Sequence, residues 1–419
     1  MKLPEHDLDY LRFTGVEPTD VDVILSRGVM GVIPEKEGER QKFKRRLEEG
    51  VVSVYLGIDP TGDKLHLGHA VPLRKLRQFQ NLGHKAILLG GGFTATIGDP
   101  KGAETRKMLT PEQVTENMKD YGSQAGKILD MRPEAENSVT IKNNYDWLAG
   151  ITLAKWVEIA SNVTVQQILS HKTYRDRIEG GNPLAYHETF YPLMQGWDAV
   201  AMGVDAQIGG KDQTFNIYMG ITLAQRYLDK PTWGVLTRLI EDPQTGKKMG
   251  KTEGNIVALV DSSEVKYEAL RTWPDSTIPL GFELLTNVPM EKVAAAMRAV
   301  SEGKVHPNDL RAALAYRVVA ELDGEEAAQF AEQEYERVYY QGQLPRNIRE
   351  VQTTNDTSLV KILVDSGLAF TEAEARQKIA SGAVFADGKP IKAKWVPEDN
   401  ILLQVGKKTI AKVRRLLIV

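Results

Sequence analysis

The chain has no cysteine. Disulfides and thiolate zinc sites are therefore excluded. It also lacks a long apolar run, although 42% of its 419 residues are hydrophobic. That excludes a membrane-spanning helix and leaves a globular chain with room for roughly two or three domains. No apolar core follows the start Met1-Lys2-Leu3-Pro4-Glu5-His6-Asp7, so no secretory signal is expected. Strong charge of one sign is missing too. The formal net charge is −3, so the chain as a whole is no generic polyanion binder, and any nucleic-acid surface is local. Together these absences point to the cytoplasm, with no membrane involvement.

What is present is organised around Gly57-Ile58-Asp59-Pro60-Thr61-Gly62-Asp63-Lys64-Leu65-His66-Leu67-Gly68-His69. Val51 to Tyr55 is an apolar, β-branched run of the kind that forms a buried strand. Pro60, Thr61 and Gly62 end it. From Leu65 the pattern turns helical, with Leu65, Val71, Leu73 and Leu76 among Arg74, Lys75 and Arg77. His66 and His69 share a face of the first turn. Gly68 between them leaves room for a ligand at the backbone. Helix N-termini attract anions through free N–H groups and the macrodipole, and two imidazoles there can donate to phosphate oxygens. Alone, such a pair is equally a helix cap or a metal pair.

A second motif far downstream narrows the choice. His66-Leu67-Gly68-His69 resembles the HIGH signature of class I aminoacyl-tRNA synthetases, and Lys248-Met249-Gly250-Lys251-Thr252 resembles their KMSKS signature. The two occur in the family's order. Gly250 and Thr252 stand where the signature has serines. The resemblance implies that Lys248 and Lys251 close over the ATP phosphates and stabilise charge on the leaving pyrophosphate.

Residues 51–245 alternate strands and helices, which implies a parallel α/β sheet. Lys85 to Leu89 reads as its second strand, ending in Gly90-Gly91-Gly92-Phe93-Thr94-Ala95-Thr96-Ile97-Gly98-Asp99-Pro100. Ligands sit beyond such strand ends, and glycines let them approach the backbone. Asp99 suits an α-ammonium group, though Asp before Pro is also a common turn. In Tyr191-Pro192-Leu193-Met194-Gln195-Gly196-Trp197-Asp198, Tyr191, Gln195 and Asp198 fall on one helix face. Turned inward, they need polar partners, and a polar ligand can be one; turned outward, they are the wet side of an amphipathic helix. Gln207 to Asn216 is another strand end, glycine turn and helix start. Asn143-Asn144-Tyr145-Asp146-Trp147 reads as structural.

These segments resemble tyrosyl-tRNA synthetases of the bacterial type, from residue 51 onward. The glycine run matches their GG-x-T-x-x-IGDP segment, and Y-x-x-x-Q-x-x-D matches their tyrosine-binding helix. The resemblance implies that L-tyrosine is held by Tyr55, Asp99, Tyr191, Gln195, Asp198 and Gln213. Tyr191 and Gln195 would meet its ammonium group, and Asp198 and Tyr55 its phenol, so that phenylalanine is rejected. ATP with Mg²⁺ would lie on Gly57, Asp59, His66, His69, Gly210, Asp212, Lys248 and Lys251, with Asp212 and Gly210 at the ribose. Arg106 is a further phosphate candidate. Lys211 stands where the family has Ser. The fold implied is α/β, a Rossmann-type catalytic domain followed by a helical domain and a small α+β S4-like RNA-binding domain.

The partition reads as a helical N-terminal extension (1–50), the catalytic domain (51–260), a helical anticodon-side domain (261–345), a linker (346–357) and the S4-like domain (358–419). From Ser358 onward there are eleven Lys/Arg against six Asp/Glu, a local positive excess suited to RNA phosphates. Arg376 and Lys378 are the candidates named. The family implies tRNA(Tyr) as partner and a homodimer, with the segment through Val165 and Ile168 supplying either dimer contacts or core. A tryptophan-specific synthetase and an RNA-binding protein without activity are the alternatives.

Overall fold

The structure is a computed structural model. It describes the chain except for residues 1–4, 14–16, 18, 101, 103–104, 106, 247–255, 347, 355–356, 370, 397–399, 407–408 and 416–419. The chain forms two compact units, Met1–Gly324 and Glu325–Val419.

The first unit is built on one six-stranded sheet. Its strands are β1 (Val29–Ile33), β2 (Ser53–Ile58), β3 (Lys85–Gly90), β4 (Thr140–Asn143), β5 (Ala206–Gly210) and β6 (Trp233–Thr237), in the spatial order β1-β6-β5-β2-β3-β4. All neighbours are parallel except β1, which runs antiparallel to β6. Val54, Leu56, Ile208, Val235 and Leu236 are buried, as a parallel sheet covered by helices on both faces requires. The register sets Tyr55 beside Gln207, and Gly210 beside Thr237.

Helices α1 (Leu67–Asn81), α2 (Tyr191–Met202) and α3 (Thr214–Leu228) follow β2, precede β5 and follow β5. α1 buries Leu67, Ala70, Leu73, Leu76 and Phe79, spaced at the helical period, against the sheet. Helices α4 (Ile278–Leu285) and α5 (Pro307–Asp323) belong to this unit as well. The second unit holds α6 (Glu325–Tyr339), β7 (Arg349–Thr353), α7 (Leu359–Asp365), α8 (Glu372–Ala380), β8 (Val384–Ala386), β9 (Lys389–Pro390), β10 (Ile401–Val405) and β11 (Thr409–Arg415). Its sheet has the order β7-β11-β10-β8-β9, with its core at Leu359, Ile362, Leu363, Val384, Leu403 and Val413.

The structure departs from the expected partition in three places. Residues 1–50 are not simply a helical extension: Val29–Ile33 is the edge strand β1, with Ile33 fully buried. The helical stretch after 260 is not separate from the catalytic unit up to Gly324. The Arg27 guanidinium shows why, since it donates to the carbonyls of Phe282, Glu283, Thr286 and Val288 at the end of α4. The Lys75 ammonium of α1 is buried beside it. Its three donors meet Ile24 O, Arg27 O and Gln78 Oε1 at 2.6, 3.0 and 2.6 Å. Burial, then Arg27 and Arg74, bring its pKa down to about 7. Finally, the segment read as a linker contains β7, which pairs in parallel with β11.

Candidate active site

The order of strands reverses at β2. The chain steps outward through β3 and β4, then returns to β5 on the other side. In open α/β sheets the crevice beyond the strand ends at such a reversal takes ligands. A cavity of about 750 Å³ lies there, within the size range of small-molecule sites. It is lined by Tyr55, Gly57 and Asp59 of β2 and its turn, by His66 and His69, by Asp99, and by Tyr191, Gln195 and Asp198 of α2. Gln207, Gly210, Asp212 and Gln213 close the side formed by β5. The described part of the expected pocket is thus assembled in one place.

One end is buried. Asp198 is 2% exposed, and each of its oxygens accepts a hydrogen bond: Oδ1 from Trp147 Nε1 at 2.8 Å, Oδ2 from Asn144 Nδ2 at 3.2 Å. Burial pushes its pKa up to about 8, against the pull of those two donors. The Tyr55 O–H donates to Gln207 Oε1 at 2.9 Å. Burial and then Asp198 hold its phenol well above the ordinary value, so it stays protonated. Asn144 also donates to Thr94 Oγ1 and accepts from Phe93 N. Elsewhere on the cavity wall, Gln195 Oε1 is buried without a partner among the described residues, which a ligand N–H would satisfy.

Asp59, read as a nucleotide residue, faces the amino-acid helix. Its oxygens accept from Tyr191 OH at 2.9 Å and Thr94 Oγ1 at 2.7 Å. The glycine run beyond β3 makes room for this carboxylate and not only for a ligand: a Cβ on Gly91 would lie 1.9 Å from Asp59 Oδ1. Asp99 accepts from Gln213 Nε2 at 3.0 Å and from Asn216 Nδ2 at 3.4 Å.

The other end is the histidine turn. His66 Nδ1 accepts from Gly68 N at 3.1 Å, and His69 Nδ1 accepts from His66 N at 3.2 Å, so the two imidazoles cap α1 reciprocally. Their rings lie 4.0 Å apart. A neutral imidazole that accepts at Nδ1 carries its proton on Nε2, and both histidines line the cavity. Gly68 has a second reason to be glycine, because a Cβ there would be 2.8 Å from the His66 ring. Gly210 is constrained likewise by Asp212 Oδ1, which a Cβ would approach to 2.6 Å.

Lys248 and Lys251, with Gly250 and Thr252, lie outside the described residues, as does Arg106. Both flanks of the 247–255 segment reach the site. Thr245 and Gly246 line the cavity. Beyond it, Leu67 N donates to Val257 O and Leu259 N to Leu65 O, tying the chain to the histidine turn. In the second unit Arg376 is exposed and pairs with Glu372 at 2.9 Å, whereas Lys378 is turned to Leu368 O and Glu374.

Among the residues that sequence reasoning missed, Thr94, Asn144 and Gln207 line the cavity and Trp147 donates to Asp198. Gln207 had a signal, a polar side chain inside a short run that is otherwise apolar or glycine. Asn144 and Trp147 had none beyond a segment read as structural.

The profile of the family described as "tRNA synthetases class I (W and Y)" matches residues 47–340. The tyrosine--tRNA ligase of Moorella thermoacetica is 37% identical over 396 residues, 93% of this chain and 94% of that protein. That of Thermotoga maritima is 36% identical over 400 residues, 94% and 98% of the two chains. Among solved structures, the tyrosyl-tRNA synthetase of Archaeoglobus fulgidus complexed with L-tyrosine superposes with a TM-score of 0.58 at 17% identity, over 78% of this chain and 99% of that one. The C-terminally truncated mitochondrial tyrosyl-tRNA synthetase of Aspergillus nidulans gives 0.62 at 22% identity, over 80% and 100%. At those identities the two structures speak for the fold.

Proposed function

The chain belongs to the class I tRNA synthetases (W and Y), and on that premise we propose how its cavity divides the work. Its activity is that of a tyrosine–tRNA ligase. Tyrosine is activated with ATP to tyrosyl-adenylate, and the tyrosyl group then passes to the 3′ end of tRNA, here tRNA(Tyr).

Tyrosine lies with its ring toward Tyr55 and Asp198. Asp198 accepts the phenolic proton, and Tyr55 stands beside it as a protonated phenol oriented by Gln207. The ammonium group meets Asp99, the Tyr191 oxygen and Gln195 Oε1. The carboxylate lies near Gln213 and attacks the α-phosphate of ATP, whose ribose rests on Gly210 and Asp212. Gly57 and Asp59 border the nucleotide. His66 and His69 donate from Nε2 to phosphate oxygens, with Lys248 and Lys251 carrying the pyrophosphate charge. The protein's contribution is orientation and electrostatic stabilisation of the transferring phosphate. Mg²⁺ arrives on the ATP phosphates. Among the described residues no group of three or more His, Asp or Glu is placed to hold an ion.

The observation that carries this reading is Asp198: a buried carboxyl with one donor on each oxygen, at the closed end of a cavity that also holds the two histidines. A phenolic O–H is the further donor that such a group accepts. The test is ATP–pyrophosphate exchange with each amino acid in turn, on the wild type and on Asp198→Ala. Tyrosine-only exchange that the substitution abolishes supports both chemistry and pocket. Tryptophan-driven exchange would refute the pocket assignment, and no exchange with any amino acid would refute the chemistry.

The rest of the organisation is proposed from the same premise. Residues 358–419 act as an S4-like RNA-binding domain, with Arg376 toward phosphate and Lys378 nearby. Leu153, Val157 and Val165 are 78%, 60% and 69% exposed, which suits a homodimer face, while Ile168 is core. Sedimentation of Val157→Asp tests this, the dimer reading predicting a monomer. No helix among the described residues is long and apolar enough to cross a membrane. The cytoplasm, where tRNA is charged, is the proposed location.

A further inference from the structure

The assignments above set a direction across the sheet. The amino acid lies on the β2–β3 side, the phosphates at the turn that leaves β2, and the ribose at the end of β5. The strand beyond β5 is β6. The nucleobase therefore falls over the end of β6, where Thr237 stands beside Gly210 and the chain continues as Arg238-Leu239-Ile240, all lining the cavity.

We propose that Arg238 is a nucleobase-binding residue, its guanidinium plane lying against the purine of ATP. The inference rests on the site reading above. Among the described residues Arg238 makes one side-chain hydrogen bond, with Nη1 donating to Glu283 Oε2 at 2.6 Å. That carboxylate is itself fixed, since its other oxygen accepts from Gly28 N at 3.0 Å, and the Arg238 backbone N–H donates to Gly28 O at 2.9 Å. The side chain is 42% exposed, although it could have been turned fully into solvent. A flat cation anchored at one edge offers its face to an aromatic ring and its remaining donors to ring nitrogens. Leu239 and Ile240 supply the apolar wall that a base also needs. A phosphate contact is the weaker use of this group, because the histidine turn lies across β5 from it.

The experiment separates base from phosphate. ATP–pyrophosphate exchange with tyrosine is run with adenosine, and separately with tripolyphosphate, as competing ligands. Arg238→Leu is expected to weaken adenosine inhibition and raise the KM for ATP about tenfold. The KM for tyrosine and inhibition by tripolyphosphate stay unchanged. Arg238→Lys keeps the charge and the pairing with Glu283 but loses the plane, so it should behave like Arg238→Leu; it also controls for folding. Unchanged adenosine inhibition, full rescue by Lys, or a rise confined to the KM for tRNA would each overturn the inference while leaving the site reading intact. Absence of exchange in the wild type would instead overturn the site reading.

Discussion

The two ends of the cavity are built differently. At the amino-acid end, side chains hold side chains: Trp147 and Asn144 fix Asp198, Gln207 orients Tyr55, and Tyr191 and Thr94 tie this end to Asp59 at the nucleotide border. At the nucleotide end, side chains hold backbone, as in the reciprocal cap of His66 and His69, and glycine supplies clearance. The first arrangement discriminates, because a buried polar group left without its partner penalises a ligand that lacks the hydroxyl. The second recognises what every ATP shares and leaves charge stabilisation to donors on the wall. Specificity is thus stored in a buried side-chain network, and chemistry in a turn at a helix end.

The comparison can be broken one end at a time. Asp198→Ala should lower kcat/KM for tyrosine roughly 10³-fold while leaving the KM for ATP within about threefold; equal loss for both substrates would mean the ends are not separable. His69→Ala should act in reverse, lowering kcat about 10²-fold with little change in the KM for tyrosine. Trp147→Phe removes one of the two donors on Asp198 and should raise the KM for tyrosine about tenfold, with exchange kinetics as the measurement. The pH profile sharpens the same point. Burial holds Asp198 mostly protonated below about pH 8, and the carboxylate accepts a phenolic hydrogen more strongly than the neutral acid does. The KM for tyrosine should therefore fall between about pH 7 and pH 9, with a proton released on binding. For the same group, the folded state binds its proton more tightly than the unfolded chain. Its contribution to stability consequently declines as pH rises toward 8. Smallest of all, Arg376→Ala should raise the KM for tRNA about threefold and leave pyrophosphate exchange untouched.

Much of this was legible in the sequence because punctuation and chemistry coincide there. The strand–turn–helix at Val51–Leu76 and the Gly-Gly turns after Leu89 and Ile208 are local signals, and each placed a wall of the cavity. The residues of α2 were legible through helical spacing, although spacing could not say that Asp198 faces inward. What escaped is what only tertiary contact defines. Asn144 and Trp147 gain meaning when β4 sits beside β3 and brings them to Asp198. Asp59 turned out to face Tyr191, because a turn residue's direction depends on what packs above it. β1 escaped because a five-residue strand containing Gly31 lies among charged helices, and only its pairing with β6 makes it a strand. The helical region after 260 looked independent since nothing local announces that Arg27 will reach four carbonyls of α4.

That same edge strand has a consequence for biosynthesis. β1 is made long before the strand it pairs with, Trp233–Thr237, and before the carbonyls that Arg27 binds, Phe282 to Val288. A chain growing from its N-terminus must carry Val29–Ile33 unpaired until most of the first unit has emerged. The parallel strands β2 and β3 are close in sequence and can meet before β6 is made. Until β1 docks, β6 presents an open apolar edge of the kind that pairs with other chains. Val29–Ile33 is thus a fastener for a sheet edge that is made long after it.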